Sequence, residues 1–335
     1  MKYAFIRQHR RLWPIRIQCQ VLGVSVAGYH EHLLRRRSLQ PRRHLSDEAL
    51  LVQIRAVYAE SRGAYGWPRI WRELRQQGIR VGKQRVQQLM QQHGIRARGK
   101  RRFRVTTTQS RPGLPVAENL LNRQFTVTAP NHVWAGDITY IDTNEGWLYL
   151  AVVLDLFSRQ VIGWALAEDM RQELVIDAFQ MAWFRRGLRR QTGLLFHSDR
   201  GSQYAGEAFQ KLLRQYRVQP SMSRKGNCWD NACSETLFGS LKVERLHGQH
   251  FATRQQAKDE VLDWLHWYNR KRLHSTLHYV SPMEYERKWK QRTAQEAREQ
   301  IGFREEAVEK MESSNRFPLS HRPDDEIHLL MGYGF

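Results

Sequence analysis

The stretch HVWAGDITYI, residues 132–141, alternates apolar and polar side chains and contains β-branched residues, which is typical of a β-strand. Two further strand patterns follow it closely. Residues 147–156 are almost continuously apolar, as in a buried central strand, and residues 160–166 form the third run. Three neighbouring strands with short connections predict an antiparallel meander.

Helical and strand patterns alternate after this meander. Helices are predicted at residues 171–186 and 205–216, and strands at residues 193–197 and 218–222. A last helix begins near Asp230 or Asn231 and carries Glu235. The order of three strands, helix, strand, helix, strand and helix predicts an α/β domain, a mixed five-stranded sheet with flanking helices.

The first 105 residues show only helical spacing. Residues 14–37 are predicted to form two short helices around Gly23, with Ser25 as the cap of the second. A further helix begins behind Ser46, and two more, at residues 69–77 and 83–93, flank a turn. Both regions have the outline of a helix-turn-helix, so the N-terminal part is predicted to be all α-helical.

The helix predicted at residues 83–93 has a polar face suited to base edges and phosphates of DNA. The residues proposed for that contact are Lys83, Gln84, Arg85 and Gln88. A soluble amphipathic helix without a ligand is the alternative. Residues 96–104 behind it are strongly basic, and Arg101, Arg102 and Arg104 are predicted to contact phosphates.

Changes in composition along the chain predict five segments. They are a first helix-turn-helix at residues 1–44, a second, DNA-binding one at 45–105, a linker at 106–127, the α/β core with its C-terminal helices at 128–289, and a charged extension at 290–335. The extension is expected to be partly disordered, because from about Ser313 it has prolines, paired aspartates and little periodicity.

The 335 residues carry a formal net charge of +21, which favours a polyanionic partner such as nucleic acid over a small-molecule substrate. This charge is unevenly placed. Residues 1–130 hold 26 Lys and Arg against 6 Asp and Glu, whereas residues 131–335 hold 28 against 27. A solubilising surface is the alternative, but the length of the basic region and its interleaved aromatic side chains favour contact with DNA.

The sequence also argues against several classes of protein. No stretch of about 18 apolar residues is available to cross a membrane, and the N-terminus lacks the apolar segment of a signal peptide. The three cysteines, Cys19, Cys228 and Cys233, form no CxxC pair, so neither a disulfide framework nor a structural zinc site is predicted. We therefore expect a cytoplasmic protein without a membrane partner.

Three acidic residues stand where such a sheet would bring them together. Asp137 lies within the first strand, Asp199 directly follows the fourth, and Glu235 lies one turn into the last helix. Side chains at one sheet edge can meet, although 61 and 35 residues separate these three along the chain. Each acid alone could be an ordinary surface or capping carboxylate. Together they repel one another unless cations share the space, which predicts ligands of Mg²⁺ or Mn²⁺.

Two such ions about 4 Å apart can activate the attacking oxygen and stabilise the leaving oxygen of a phosphodiester. Phosphoryl transfer depends on this positioning more than on a proton relay. Asp137, Asp199 and Glu235 are therefore the candidate catalytic residues, and a nucleic acid is the candidate substrate.

Recognisable blocks of sequence surround the three acids. They are Trp134-Ala-Gly-Asp137-Ile-Thr-Tyr-Ile141, His197-Ser-Asp199-Arg-Gly-Ser-Gln-Tyr204 and Asn231-Ala-Cys-Ser-Glu235, with Lys242 seven residues on. These blocks, and the 35 residues between the second and third acids, resemble bacterial insertion-sequence transposases, a DDE family related to retroviral integrases. Residues 268–275 with Ser281-Pro282 resemble its closing motif, and residues 65–70 resemble its second helix-turn-helix.

The resemblance implies a ribonuclease-H-like fold, Mg²⁺ dependence, and DNA cleavage and joining at the terminal inverted repeats of an insertion sequence. It implies that Asp137, Asp199 and Glu235 are the metal ligands. Lys242, two helical turns beyond Glu235, is then expected to hold the phosphate of the terminal DNA, with a generic basic surface residue as the alternative.

The resemblance also implies partners. A homo-oligomer on DNA is expected, because two ends must be paired and cut together. An upstream-frame helix-turn-helix protein is a candidate partner, and the bacterial nucleoid is the expected place of action. Two rival functions are a catalytically silent DNA-binding regulator of the element ends and a metal nuclease that only hydrolyses.

Three further residues near the site have more than one interpretation. Asp155, at a strand end, is predicted to form an ion pair or a turn with Arg159. His197 either packs at a strand end or touches the substrate. Asn231 either caps the last helix or contacts DNA.

Overall fold

The computed structural model describes residues 2–37, 45–99, 116–188, 193–224 and 228–314. The chain divides into two compact units, one formed by residues 1–60 and 65–96 and the other by residues 61–64 and 97–335. The first predicted helix-turn-helix region and most of the second belong to the first unit, and the predicted sheet belongs to the second. The described residues do not include Arg101, Arg102, Arg104, most of the predicted linker (106–115) and the tail at 315–335.

The first three helices enclose a small apolar core. They are α1 (Lys2–His9), α2 (Ile15–Val21) and α3 (Val26–Arg37). Ile6, Cys19 and Tyr29 are buried at their centre. Ser25 Oγ accepts a hydrogen bond from the Gly28 N–H (3.0 Å), as predicted for the cap of α3. The sequence did not predict α1, because this helix buries only Ile6 and therefore shows no periodic apolar face.

The next three helices contain the second predicted helix-turn-helix. They are α4 (Asp47–Glu60), α5 (Trp67–Gln76) and α6 (Lys83–Gln92). Ser46 caps α4 by accepting a hydrogen bond from the Ala49 N–H (3.2 Å). Gly78, at φ +82°, supplies the left-handed backbone that ends α5. Trp71 Nε1 then donates to the Val81 carbonyl (2.9 Å) and closes the turn into α6.

The second unit is built on a mixed five-stranded sheet, as predicted. Its strands are β1 (Val133–Ile141), β2 (Leu148–Asp155), β3 (Val161–Ala167), β4 (Leu195–Ser198) and β5 (Gln219–Met222). The order across the sheet is β3-β2-β1-β4-β5. The first three strands form the predicted antiparallel meander, and the pairs β1–β4 and β4–β5 are parallel. The strand β1, which carries Asp137, is the middle strand of the sheet. It pairs antiparallel with β2 on one side and parallel with β4 on the other.

An aromatic core joins the sheet to the helices that pack on it. These helices are α7 (Gln172–Arg186), α8 (Ser202–Ala205) and α9 (Glu207–Gln215). Phe179 of α7 makes edge contacts with Trp134 of β1 and Phe196 of β4, at centroid distances of 6.0 and 5.6 Å. A Cβ at Gly163 of β3 would lie 2.1 Å from the Ala178 carbonyl oxygen. Only glycine therefore permits this close approach of α7 to the sheet.

The helix predicted at residues 205–216 is confirmed as α9, but the sequence did not predict the short α8 before it, which is divided from α9. The division falls at Gly206, whose backbone is extended at ψ 150°. A Cβ there would lie 2.3 Å from the side-chain nitrogen of Gln172, which belongs to α7. Glycine at position 206 leaves room for the Gln172 side chain, and the apolar spacing of the segment does not show the break.

Three helices follow the last strand, namely α10 (Ala232–Leu241), α11 (Arg254–Arg270) and α12 (Pro282–Ser314). A 3₁₀ turn, Cys228–Asn231, precedes α10, and a π-helical segment, Lys242–Leu246, continues it. The helix α12 runs without a break through the predicted boundary at 289/290, so residues 290–314 of the predicted extension are helical. Spaced ion pairs such as Lys290–Glu286 (3.0 Å) stabilise it. In the described part of the chain no helix has both the length and the apolar character needed to cross a membrane.

Candidate active site

Asp137 lies opposite Val152 of β2 in the middle of the sheet. Asp137 as a whole is partly exposed, but protein atoms surround its carboxyl group and exclude water from it. This desolvation raises the pKa of the carboxyl well above the ordinary value. The negative charge of Asp199 and, to a lesser extent, that of Glu235 raise the pKa further. A hydrogen bond from the Ile138 N–H to Oδ1 (2.8 Å) acts in the opposite direction. The three predicted acids are thus within range of one another's charge.

Asp199 reaches Asp137 because of the register between two parallel strands. Ala135 of β1 pairs with His197 of β4. Asp137 and Asp199 each follow this last pair by two residues, and the charge of Asp199 acts on the Asp137 carboxyl, so the two acids are neighbours. The chain turns directly after Asp199, and the Gly201 N–H donates to Asp199 Oδ1 (3.0 Å). A Cβ at residue 201 would lie 2.9 Å from that oxygen, so the tight turn favours glycine.

Glu235 is more exposed to solvent than either aspartate. It lies in the first turn of α10, which packs against β1, and its residue is exposed to solvent. Desolvation from the protein side nevertheless raises the pKa of its carboxyl. Among the described residues, no three acidic, histidine or cysteine side chains are already placed to hold one metal ion. In the structure Asp137 and Asp199 are therefore a pair, and Glu235 is a more exposed neighbour whose charge acts less strongly on Asp137.

Lys242 is a cation at the same site. It is the first residue of the π-helical segment, and its Nζ lies 5.3 Å from the centre of the Tyr140 ring. Desolvation lowers the pKa of its ammonium group, and the Asp137 carboxylate acts in the opposite direction. Lys242 therefore lies in the neighbourhood of the acids, as its spacing from Glu235 predicted.

A buried ion pair holds the π-helical segment in place. Glu244 in this segment accepts hydrogen bonds from Arg272 Nε (2.9 Å) and Nη2 (2.6 Å) and from Trp264 Nε1 (3.0 Å). All three residues are buried. Arg272 also donates to Ser240 Oγ (3.2 Å) near the end of α10. This network ties the helix that carries the third acid to α11 and the loop after it.

Asn231 contacts the first acid directly. It is buried in the 3₁₀ turn before α10, and its side-chain amide donates a hydrogen bond to the Asp137 carboxylate, which lowers the pKa of Asp137. Asn231 occupies the N-cap position of α10, but its side chain makes no capping bond, so the structure does not support the capping interpretation. The sequence offered no signal for the observed contact beyond the position of Asn231 in the third block.

Asp230, the preceding residue, fixes that turn to the rest of the unit. Its buried carboxylate accepts hydrogen bonds from Arg224 Nε (3.0 Å), Arg123 Nε (3.0 Å) and Asn119 Nδ2 (2.9 Å). These bonds, led by those from Arg224, hold the pKa of Asp230 well below its usual range despite burial. Asp230 is a structural residue of the site that sequence reasoning treated only as a possible helix start.

His197 packs at the end of β4. Its Nδ1 lies 2.9 Å from Ser221 Oγ and its Nε2 lies 3.2 Å from Ser223 Oγ. Burial lowers its pKa to about 4, so the ring is neutral at neutral pH. Of its two interpretations, the structure supports packing at a strand end.

Asp155 makes a different ion pair from the predicted one. Its buried carboxylate accepts hydrogen bonds from the N–H groups of Asn131 (2.9 Å) and Phe157 (2.9 Å), which bears out a turn role. Its ionic partner is Arg186 of α7 (3.3 Å). The predicted pair with Arg159 is wrong, because packing of a helix on the sheet supplies the cation.

The predicted DNA-reading helix corresponds to α6. Lys83, Gln84 and Gln88 are exposed on it. Arg85 is only partly exposed, and its Nε donates to Asp47 Oδ1 at 2.8 Å. Three of the four predicted side chains are therefore open to solvent, and the fourth is held in an ion pair within its own unit.

Comparison with known families identifies both units. Residues 127–228 and 235–289 match two integrase core domain families, and residues 45–103 match a helix-turn-helix-like domain family. Asp137 and Asp199 fall within the first match, and Glu235 is the first residue of the second.

Known proteins similar to this chain include bacterial transposases. The transposase InsF for insertion sequence IS3A of Escherichia coli (strain K12) is 42% identical over 289 residues, which is 86% of this chain and 99% of that protein. An uncharacterized 31 kDa protein of insertion element IS600 from Shigella sonnei is 42% identical over 277 residues, 82% of this chain and 100% of that protein. Among solved structures, the HTLV-2 integrase catalytic core in complex with magnesium is 17% identical, covering 47% of this chain and 97% of its own, with a TM-score of 0.35.

These matches confirm the resemblance seen in the three blocks around the acids. The integrase core match and the sheet order β3-β2-β1-β4-β5 together confirm the predicted ribonuclease-H-like fold. With 42% identity over almost the full length of its transposase relative, the chain belongs to the IS3 family of insertion-sequence transposases, DDE-type polynucleotidyl transferases with an integrase core.

Proposed function

We propose that Asp137, Asp199 and Glu235 hold divalent metal ions, Mg²⁺ or Mn²⁺, and form the centre that cleaves and joins DNA at the ends of an insertion sequence. The observation that carries this proposal is the repulsion at Asp137, whose desolvated carboxyl faces the charge of Asp199. Two such carboxylates repel each other when both are anionic, and cations in the space between them would relieve this repulsion. Carboxylate oxygens are the ligands that both ions prefer.

Another polar group at the site fits a cation. Asn231 donates to Asp137, while its own Oδ1 is buried and has no hydrogen-bond partner among the described residues. A buried amide oxygen of this kind is suited to a cation or to water bound to one. When bound, two metal ions would supply activation of the attacking oxygen and stabilisation of the leaving oxygen of a phosphodiester.

The side chains and backbone of the site orient the acids and attract the substrate. Asn231 and the Ile138 N–H both donate to Asp137, and the Gly201 N–H orients Asp199. Lys242 is proposed to hold a phosphate of the terminal DNA. Its partly desolvated ammonium group attracts an anion more strongly than one in bulk water does.

DNA recognition is proposed for the exposed face of α6 and for the basic segment behind it. The side chains assigned to this contact are Lys83, Gln84 and Gln88 for the helix, and Arg101, Arg102 and Arg104 for the phosphates. Arg85 is assigned a lesser role, because its bond to Asp47 competes with DNA. The terminal inverted repeats and the target DNA are the proposed substrates, in the bacterial nucleoid.

Two partner proteins are proposed in addition to DNA. A homo-oligomer is proposed because two element ends must be paired before they are cut. An upstream-frame helix-turn-helix protein is proposed by analogy with the family. Both proposals are checked by measuring the mass of the complex on paired terminal repeats with and without that protein.

The catalytic proposal is tested with the full-length protein, Mg²⁺ and labelled terminal repeats. We expect nicked and strand-transferred products. Asp199→Asn should reduce both to background while DNA binding is retained, because it removes a negative charge that the cations require. The matched control is Asp177→Asn, which changes an exposed aspartate of α7 and should leave the rate unchanged.

Three outcomes would contradict parts of this proposal. Cleavage by Asp199→Asn at the wild-type rate would remove Asp199 from the catalytic centre. DNA binding by the wild type without cleavage would favour the catalytically silent regulator. Cleavage without joined products would favour the hydrolysing nuclease.

A further inference from the structure

Tyr204 is a buried aromatic residue next to the two aspartates. It lies in α8 with 1% of its surface exposed, and its ring packs on Phe196 and Phe209 at centroid distances of 6.1 and 5.5 Å. A Cβ on Gly136, the residue before Asp137, would lie 3.1 Å from Tyr204 Cε1. Packing therefore holds the ring against the part of β1 that carries the first acid.

The hydroxyl of this ring has no hydrogen-bond partner among the residues that the structure describes. Its surroundings are nevertheless charged. After burial, the carboxylates of Asp137 and Asp199 are the groups that raise the pKa of Tyr204 well above its usual value. A buried hydroxyl without a partner is costly, and most such groups find one. The Tyr204 hydroxyl is therefore a donor without a partner among the described residues, on a ring that packs beside Gly136 and feels the charge of both carboxylates.

Carboxylates that bind metal ions are normally held from outside by hydrogen bonds that set their orientation. We propose that Tyr204 is a positioning residue of the metal site: when cations are bound, its hydroxyl donates to a carboxylate oxygen of the Asp137–Asp199 pair and keeps that group in its ligating orientation. This inference rests on the proposed function, because it assumes that the two aspartates bind the ions. Tyr204 itself touches neither the ions nor the DNA.

The competing explanation is that the hydroxyl is a tolerated packing defect. The two explanations differ for Tyr204→Phe, which removes one oxygen and keeps the ring. A packing defect predicts unchanged metal binding, whereas a positioning role predicts metal binding about 10-fold weaker. Both predict that the metal-free variant is at least as stable as the wild type, because its oxygen loses no hydrogen bond.

The test uses the full-length protein and Mn²⁺ alone as the probe. Free Mn²⁺ is followed by electron paramagnetic resonance, and thermal unfolding is measured with and without the ion. For Tyr204→Phe we expect an unchanged or higher Tm without metal, a Kd for Mn²⁺ about 10-fold higher, and a smaller rise of Tm on adding Mn²⁺.

Activity gives an independent readout of the same role. For Tyr204→Phe, half-maximal DNA cleavage should require about 10-fold more Mg²⁺, and the maximal rate should recover at saturating Mg²⁺. A general loss of structure lowers the maximal rate and does not produce this split.

Tyr29→Phe is the matched control. Tyr29 is also a buried tyrosine whose hydroxyl lacks a partner within the described part of the chain, and it belongs to the other unit. Its replacement should leave the Kd for Mn²⁺ unchanged. Wild-type affinity in Tyr204→Phe would overturn the inference, and so would a lower Tm without metal, since the hydroxyl would then already be bonded.

Asp199→Asn separates failure of this inference from failure of the proposed function. If Asp199→Asn binds Mn²⁺ as tightly as the wild type, the proposed metal site itself is wrong. If Asp199→Asn loses Mn²⁺ binding while Tyr204→Phe keeps it, the metal site stands and only the role of Tyr204 is wrong.

Discussion

Single residues in the site show burial and hydrogen bonding acting in opposite directions on each carboxyl. Asp137 loses water and faces another carboxylate, yet it receives the Asn231 amide and a backbone N–H. Asp230 is also buried, yet its arginine partners keep it anionic. The difference is in the neighbouring charge, because arginines bond to Asp230, whereas the charges that shift the pKa of Asp137 are those of Asp199 and Glu235. An added cation is therefore expected to change the pKa of Asp137 more than that of Asp230.

His197 makes the stability of the second unit depend on pH. Its pKa is about 4 in the folded protein, against 6.5 for an ordinary histidine. As the pH falls, the unfolded chain binds the proton first, so the stability present above pH 6.5 is lost progressively toward pH 4. A shift of this size corresponds to about 3 kcal/mol in the free energy of unfolding. His197→Gln should remove that part of the pH dependence.

Chemical denaturation between pH 7 and pH 4 measures this effect. His132→Gln is the control, because His132 is exposed and its replacement should keep the wild-type dependence. If His197→Gln and the wild type lose stability in parallel over this interval, the buried imidazole is not the group responsible.

At the scale of elements, the position of α10 depends on the network around the π-helical segment. A π-helical turn is rare and is frequently found at functional sites. Here the turn begins with Lys242, and the buried Glu244–Arg272 pair two residues later connects it to the end of α11. The third acid and Lys242, which is proposed to bind a phosphate, are therefore held by the same network.

Breaking this pair from one side should be strongly destabilising. In Arg272→Met, Glu244 stays buried without its cation, and we expect the free energy of unfolding to fall by about 3–5 kcal/mol. The double variant Glu244→Gln/Arg272→Met should lose less than the two single variants together, because neither charge is then left alone. Urea denaturation of the four proteins measures the coupling.

An exposed ion pair in the same unit provides the control. Arg292 and Glu296 lie 3.9 Å apart on α12, with side chains 69% and 59% exposed. Because water screens such a pair, Arg292→Met should change stability by less than about 0.5 kcal/mol. Additive losses in the Glu244 and Arg272 cycle would show that the buried pair does not act as a unit.

At the scale of the whole molecule, positive charge and acidic chemistry occupy different parts of the chain. The first 130 residues carry almost all of the net charge of +21, and the remainder is close to neutral. Phosphate neutralisation is therefore expected mainly from the N-terminal residues, while the sheet supplies the acids. Such a division makes DNA affinity, and not the fold, the property most sensitive to salt.

The salt dependence of binding tests whether α6 faces DNA. Lys83→Ala should weaken binding to the terminal repeats and reduce the slope of log K against log salt by about 1, as expected for one lost phosphate contact. Lys211→Ala, which removes an exposed lysine of α9, is the control and should leave the slope unchanged. Equal slopes for Lys83→Ala and the wild type would place DNA on another surface.

The sequence by itself determined the mixed sheet, the two sets of N-terminal helices and the placement of the acids in a strand, after a strand and in a helix. These follow from local periodicity, which a single segment carries without its neighbours. Periodicity failed where an element has too few buried residues to show a period, as for α1, which buries only Ile6, and for α8, which has only four residues.

Only the tertiary structure decided which side chains meet. Asn231 bonds to Asp137, Arg272 pairs with Glu244 and Tyr204 packs against β1, and the residues in each case belong to different elements. Asp155 shows the consequence, because its cation is Arg186 and not the nearby Arg159. Strand register and helix packing set these contacts, and neither can be predicted from the spacing of residues along one segment.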